Sequence, residues 1–125
     1  MFKQNLRKFV ILISILIACC YGYGQTTYGN TALVKCIQDG MVIGEKTMYV
    51  NVSVNDTKDT LRWTAGDYYG GYFPITRVEV RQNDTTYRCI PNGYKEDAVF
   101  RTYDEYCKLL IRNTSDGYLK FLFAR

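Results

Sequence analysis

The sequence predicts an all-β protein: a single small antiparallel β-sandwich of seven or eight short strands, with a small β-barrel or an immunoglobulin-like sandwich as alternatives. Short runs of alternating apolar and polar residues recur at intervals of roughly ten residues, with a turn signal between them, as in sandwiches and barrels. Tyr and Phe, which pack well on a pleated sheet, number 12 and 6 in 125 residues. Both observations favour strands over helices.

The first half of the domain contains the clearest alternation. The run over residues 32–38 ends at Asp39-Gly40, a dipeptide that suits a tight hairpin turn, and residues 41–43 begin the return strand. Residues 48–54 alternate valine with polar side chains, and residues 60–65 alternate in the same way. A period of two predicts that each of these strands has one buried face and one solvated face.

Five further runs complete the domain after a loop over residues 66–74. They cover residues 75–82, 85–90, 99–103, 106–112 and 118–124. Residues 95–111 also suit a helix, because the acidic residues in this segment are weak strand formers. Phe100, Tyr103 and Tyr106 suit pleated packing, and they favour strands here.

Residues 1–24 have the pattern of an export signal. Basic residues at positions 3, 7 and 8 precede an uncharged apolar core over residues 10–18. This core is shorter than the roughly 20 apolar residues that a membrane-spanning helix needs. Small residues at positions 22 and 24 predict cleavage before Gln25, which makes residues 25–30 a polar leader and residues 31–125 the β domain.

A second processing route remains open. Leu16-Ile17-Ala18-Cys19 resembles a bacterial lipobox, and this resemblance implies a signal that ends at residue 18 and a lipid on Cys19. An uncleaved signal that anchors the chain is a third route. The first route predicts an exported protein, secreted or periplasmic, and the other two predict a membrane-anchored one.

The charge balance argues against anionic partners. The chain has 16 basic and 12 acidic residues, but three of the basic ones lie in the signal, so the remainder holds 16 − 3 = 13 basic residues against 12 acidic ones. Partners such as nucleic acid or an anionic membrane call for a clustered basic face, which a net charge near +1 does not suggest. Contact with a membrane is therefore expected only through an N-terminal lipid or an uncleaved signal.

Three cysteines remain after cleavage at Gln25: Cys36, Cys89 and Cys107. An oxidising compartment predicts at least one disulfide among them, and we favour Cys36 with Cys89, which leaves Cys107 as a small buried apolar residue. Spacing alone does not fix the connectivity. The chain has no histidine and no Cys-x-x-Cys motif, so we expect neither a metal site nor a cofactor.

The absence of histidine also makes catalysis an unfavoured function. Ser-His and Cys-His pairs are impossible, and the usual general base near neutral pH is missing. A carboxylate-based hydrolase is the remaining enzymatic alternative, but many of the acidic residues lie in predicted turns, where aspartate caps its own backbone. The oxygen-rich segment 55–59 lacks the spacing of a calcium loop, and we interpret it as a turn.

The predicted loop over residues 66–74 is the best candidate for a contact surface. Tyrosine offers a large rigid area and a hydroxyl group, and glycine lets the backbone fit a partner. The predicted contact residues are Tyr68, Tyr69, Tyr72 and Phe73, flanked by Arg77 and Arg81. The alternatives are that the rings cover the core and that the arginines form an ordinary solvent face.

These features predict a non-catalytic binding module whose ligand is a protein or a glycan. A secreted or periplasmic inhibitor or immunity-type protein, which blocks the cleft of an enzyme with this loop, is the alternative. Four sequons, at Asn51, Asn55, Asn83 and Asn113, are surface glycosylation sites if the chain follows a eukaryotic secretory route.

One segment resembles the immunoglobulin family. Residues 83–89 end in Tyr87-Arg88-Cys89, which resembles the Tyr-x-Cys corner of that family, with Cys36 as the first cysteine and Trp63 as the core tryptophan. The resemblance implies a two-sheet sandwich. Trp63 lies 63 − 36 = 27 residues after Cys36, farther along the chain than the family pattern places it.

Overall fold

The computed structural model describes residues 25–90 and 96–125, so the predicted export signal lies outside the described residues. Nine antiparallel strands form one sheet. They are β1 (Thr26–Gln38), β2 (Met41–Val54), β3 (Thr60–Ala65), β4 (Tyr69–Pro74), β5 (Arg77–Val80), β6 (Asp84–Cys89), β7 (Ala98–Tyr103), β8 (Tyr106–Arg112) and β9 (Gly117–Ala124). Within the two described ranges, no helix has the length and apolar character needed to cross a membrane.

The strand order, β4-β3-β2-β1-β9-β8-β7-β6-β5, joins two meanders through the pairing of β1 with β9. Consecutive strands β4 and β5 lie at opposite edges, although only Ile75 and Thr76 separate them. The sheet must therefore curl until its two edges meet at this linker. The Ile75 N–H donates to the carbonyl of Asp59 (2.8 Å), and the Thr76 N–H donates to that of Arg88 (2.9 Å), so the linker is bonded to both meanders.

This curled half-barrel confirms the all-β prediction, but it is one sheet and not the predicted two-sheet sandwich. The immunoglobulin-like arrangement is likewise wrong. The reason is topological, because β1 is bonded to β2 on one side and to β9 on the other, which makes the two meanders continuous.

The inner face of the curled sheet forms the core. Alternate residues are buried in β3, in β8 and in the second halves of β2 and β9, as the period of two predicts. Phe100 is fully buried at the centre, with its ring centroid 5.3 Å from Tyr28, 6.0 Å from Tyr87 and 6.4 Å from Phe123. These rings belong to four different strands, so the core holds the curl together.

Several elements match the sequence prediction. Strands β3 and β8 have the predicted bounds, and residues 98–112 form strands rather than a helix. The Asp39-Gly40 turn has φ values of 53° and 77°, the left-handed conformation that a tight hairpin turn requires.

Two segments differ from the prediction. Residues 26–30, predicted as a polar leader, pair with Val50–Val54 of β2, and the Tyr28 ring anchors this polar run against Phe100. Residues 69–74, predicted as loop, form the additional strand β4, which pairs with all of β3.

The predicted disulfide is also wrong. Cys36, Cys89 and Cys107 all carry free thiols. They lie on β1, β6 and β8, no two of which are adjacent in the sheet, whereas a disulfide needs Cα atoms about 4.4–6.8 Å apart. Cys89 and Cys107 are both fully buried. Burial as a small apolar residue was predicted for Cys107.

Candidate functional site

An apolar cavity of about 330 Å³ opens where β3 ends. The β2–β3 pairing stops at Val50 and Ala65, but β2 extends back to Met41, so nothing in the described part of the chain pairs with that side of its first half. The inner face is therefore uncovered at this position. The lining of the cavity includes Val34, Met48, Trp63, Tyr69, Leu119 and Phe121.

Trp63 forms the wall of the cavity on β3. Its ring centroid lies 5.7 Å from that of Phe121, and the residue is 8% exposed. The indole fits because Gly71, directly opposite on β4, has no side chain: a Cβ there would lie 3.2 Å from Nε1. The Nε1–H is buried and has no hydrogen-bond partner among the described residues.

The predicted tyrosine group is divided between the two faces of β4. Tyr69 lies opposite Ala65 and lines the cavity, whereas Tyr72 lies opposite Arg62 on the outer face, with the guanidinium 5.4 Å from its ring centroid. Tyr68 is 93% exposed in the turn before β4. Phe73 packs against the core. For this ring, the alternative prediction that the aromatic side chains cover the core is therefore the correct one.

The predicted arginines lie on and after β5, at the opposite edge of the sheet from β4. Glu79 lies within 3.2 Å of Arg77, 3.4 Å of Arg81 and 3.0 Å of Arg88. The hydrogen bond from Arg88, with the charges of the other two arginines, holds the pKa of the Glu79 carboxyl below its usual value. Arg77 and Arg81 are thus brought together around the carboxylate of Glu79.

Cys36 lies at the cavity, half-buried, with the Asn113 Nδ2 atom 4.0 Å from its Sγ. Sequence reasoning missed Cys36, Met48 and Trp63 as site residues. One signal for Trp63 was present in the sequence, because the alternation over residues 60–65 places it on the same face as Leu61 and Ala65.

The turn over residues 55–59 is stabilised by its own side chains. Asn55 Oδ1 accepts from the N–H groups of Asp59 (2.9 Å) and Thr60 (3.0 Å), and Asn55 Nδ2 donates to Thr57 Oγ1 (2.9 Å) and to the Asp59 carboxylate. The Asn55 bond lowers the pKa of Asp59. Within residues 25–90 and 96–125, no group of three or more acidic or cysteine side chains is placed to hold a metal ion.

The sequons differ in their surroundings. Both polar atoms of the Asn55 side chain are hydrogen-bonded, and Asn51 is half-buried, whereas Asn83 and Asn113 are exposed.

No protein-family model, curated protein or solved structure matches this chain. The cavity and the exposed tyrosines beside it are therefore the features from which a function is inferred.

Proposed function

We propose that this protein is an exported, non-catalytic binding module that accepts an apolar side chain of a partner protein in the cavity beside Trp63. The observation that carries the proposal is the cavity itself, about 330 Å³ in volume and lined largely by apolar and aromatic side chains. Small-molecule and side-chain pockets of this kind start near 300 Å³. Glu45 and Lys46 also line the cavity, but aliphatic and aromatic side chains predominate, which favours a protein ligand over a glycan.

The tyrosines support the same interpretation. Tyr68, Tyr69 and Tyr72 are 93%, 63% and 67% exposed, at the rim of the cavity and on the edge strand beside it. Exposed aromatic clusters mark interaction surfaces, because tyrosine buries a large area at a small cost in side-chain entropy. The partner's apolar group would enter the cavity while its flanking surface contacts Tyr68 and Tyr69 at the rim.

Trp63 provides the direct test, since it is the single tryptophan of the chain. A neutral apolar dye such as Nile red should bind and quench Trp63 fluorescence. Cys36→Phe, which places a ring in the cavity, should abolish that quenching and also the capture of the partner from the native environment. Tyr118→Ser, a matched change of an exposed ring outside the cavity lining, should alter neither.

Three other outcomes would contradict the proposal. If Cys36→Phe leaves both dye and partner binding intact, the cavity is not the site. A complex released by free sugar would indicate a glycan ligand, and a stoichiometric complex that inactivates one enzyme would indicate the inhibitor alternative.

A further inference from the structure

The outer face of the central strands carries a cluster of cations. Lys35 on β1, Lys120 on β9, Lys108 on β8 and Arg101 on β7 alternate with buried neighbours and so lie on the outer face. The register places Lys35 directly opposite Lys120 and Arg101 directly opposite Lys108. The basic face is defined here as these four residues with Leu33 and Leu122.

The charge of the basic face is not balanced within the protein. Like charges directly opposite each other in a sheet are unfavourable. The ion pairs of the described residues use other cations, namely Arg77, Arg81, Arg88 and Arg112. The acidic residues nearest to the basic face are Glu45, opposite Lys35 on β2, Glu105, at the rim of the face, and Asp84 on β6, which lies diagonally from Arg101.

The segments outside the structure cannot supply the missing carboxylates. Residues 1–24 and 91–95 contain no Asp or Glu. Four cations against three carboxylates leave an excess of positive charge, which complements an anionic partner.

Apolar residues lie between these cations. Leu33 and Leu122 are directly opposite each other, and with Lys108 and Lys120 they line a shallow depression of about 690 Å³. Leu122 is 38% exposed, and Tyr106, at the edge of the depression, is 42% exposed. Lysine stems can lie along apolar surface while the ammonium group stays with polar headgroups, and tyrosine prefers the interface between lipid and water.

We propose that the basic face docks this protein on a membrane surface that carries anionic lipid headgroups. The lysines contact the phosphate groups, and Leu33 and Leu122 enter the boundary between headgroups and acyl chains. Nucleic acid would satisfy the charges but offers no apolar phase for the two leucines. The net charge near +1 hides this face, because it averages over acidic turns elsewhere in the chain.

Vesicle binding by the full chain tests the proposal. Vesicles of phosphatidylcholine alone are compared with vesicles in which a third of the lipid is phosphatidylglycerol. Lys108→Gln with Lys120→Gln should weaken binding to the anionic vesicles roughly 25-fold, at about fivefold per lysine. Lys46→Gln with Lys58→Gln, which removes the same charge elsewhere, is the matched control and leaves the contribution of residues 1–24 unchanged.

Folding does not confound this comparison. Removing two like charges should leave the free energy of unfolding equal or higher, which a urea titration verifies. Leu33→Ser with Leu122→Ser should weaken vesicle binding and leave retention on heparin unchanged. Equal losses for both lysine pairs would overturn the proposal, and so would unchanged vesicle binding in the leucine variant, which would assign the face to a soluble polyanion or nucleic acid.

Discussion

Phe100 is the side chain on which the curl of the sheet depends most directly. It contacts rings from β1, β6 and β9, and it is completely buried. Phe100→Ala should lower the free energy of unfolding by about 3–5 kcal/mol, the usual cost of emptying such a site. Urea titration followed by far-ultraviolet circular dichroism measures this change. Leu122→Ala, at a position on the outer face, should cost less than about 1 kcal/mol; equal losses would show that Phe100 is not central.

The two buried thiols should make the free energy of unfolding decrease at alkaline pH. Burial raises the pKa of Cys89 to about 12 and that of Cys107 to about 11, from the ordinary thiol value of 9.0. Above pH 9 the unfolded chain releases protons that the folded chain keeps, so this contribution to stability is complete below pH 9 and is lost as pH rises toward 11 to 12. The urea concentration at the unfolding midpoint should therefore decrease as the pH is raised from neutral to about pH 10. Cys89→Ala with Cys107→Ala should flatten that dependence; an unchanged slope would contradict the assignment.

Among the elements, the two-residue linker between β4 and β5 joins the two edge strands of the sheet. Thr76 Oγ1 donates to the carbonyl of Arg88 (3.1 Å) and accepts from the Ile90 N–H (3.1 Å), which ties the end of β4 to β6. Thr76→Val keeps the shape of the side chain and removes both bonds, at an expected cost of about 1–2 kcal/mol in the free energy of unfolding. Thr76→Ser retains the hydroxyl and should cost about half as much or less. Identical unfolding midpoints for the two variants would show that the hydroxyl does not hold the edges together.

The strands that sequence reasoning predicted correctly are those whose alternation is complete. β3 and β8 each alternate buried and outer residues throughout, so their bounds follow from the period of two. β4 was missed because Gly70 and Gly71 interrupt its alternation and resemble a loop. The start of β1 was missed because its first residues are polar, and only the packing of Tyr28 on Phe100 explains why they are ordered.

The whole molecule contains relationships that local patterns do not reveal. The arginine cluster around Glu79 was predictable, because β5 and β6 are neighbours in sequence as well as in the sheet. The cavity and the basic face were not, since both depend on β9 pairing with β1 at the opposite end of the chain. The same pairing explains why a sandwich was predicted: alternation shows that a face is buried, but not whether another sheet or the same sheet covers it.

The N-terminal processing of the chain concerns residues outside the described structure. Because β1 begins at Thr26, cleavage before Gln25 leaves every strand of the sheet complete. We expect the intact mass of the protein recovered from the cell that makes it to match a chain that starts at Gln25, as the small residues at positions 22 and 24 predict. Treatment with a thiol reagent under denaturing conditions should then add three labels, because Cys36, Cys89 and Cys107 are unpaired. A mass that fits a lipidated chain starting at Cys19 would assign the second route, and the full-length mass would contradict cleavage altogether.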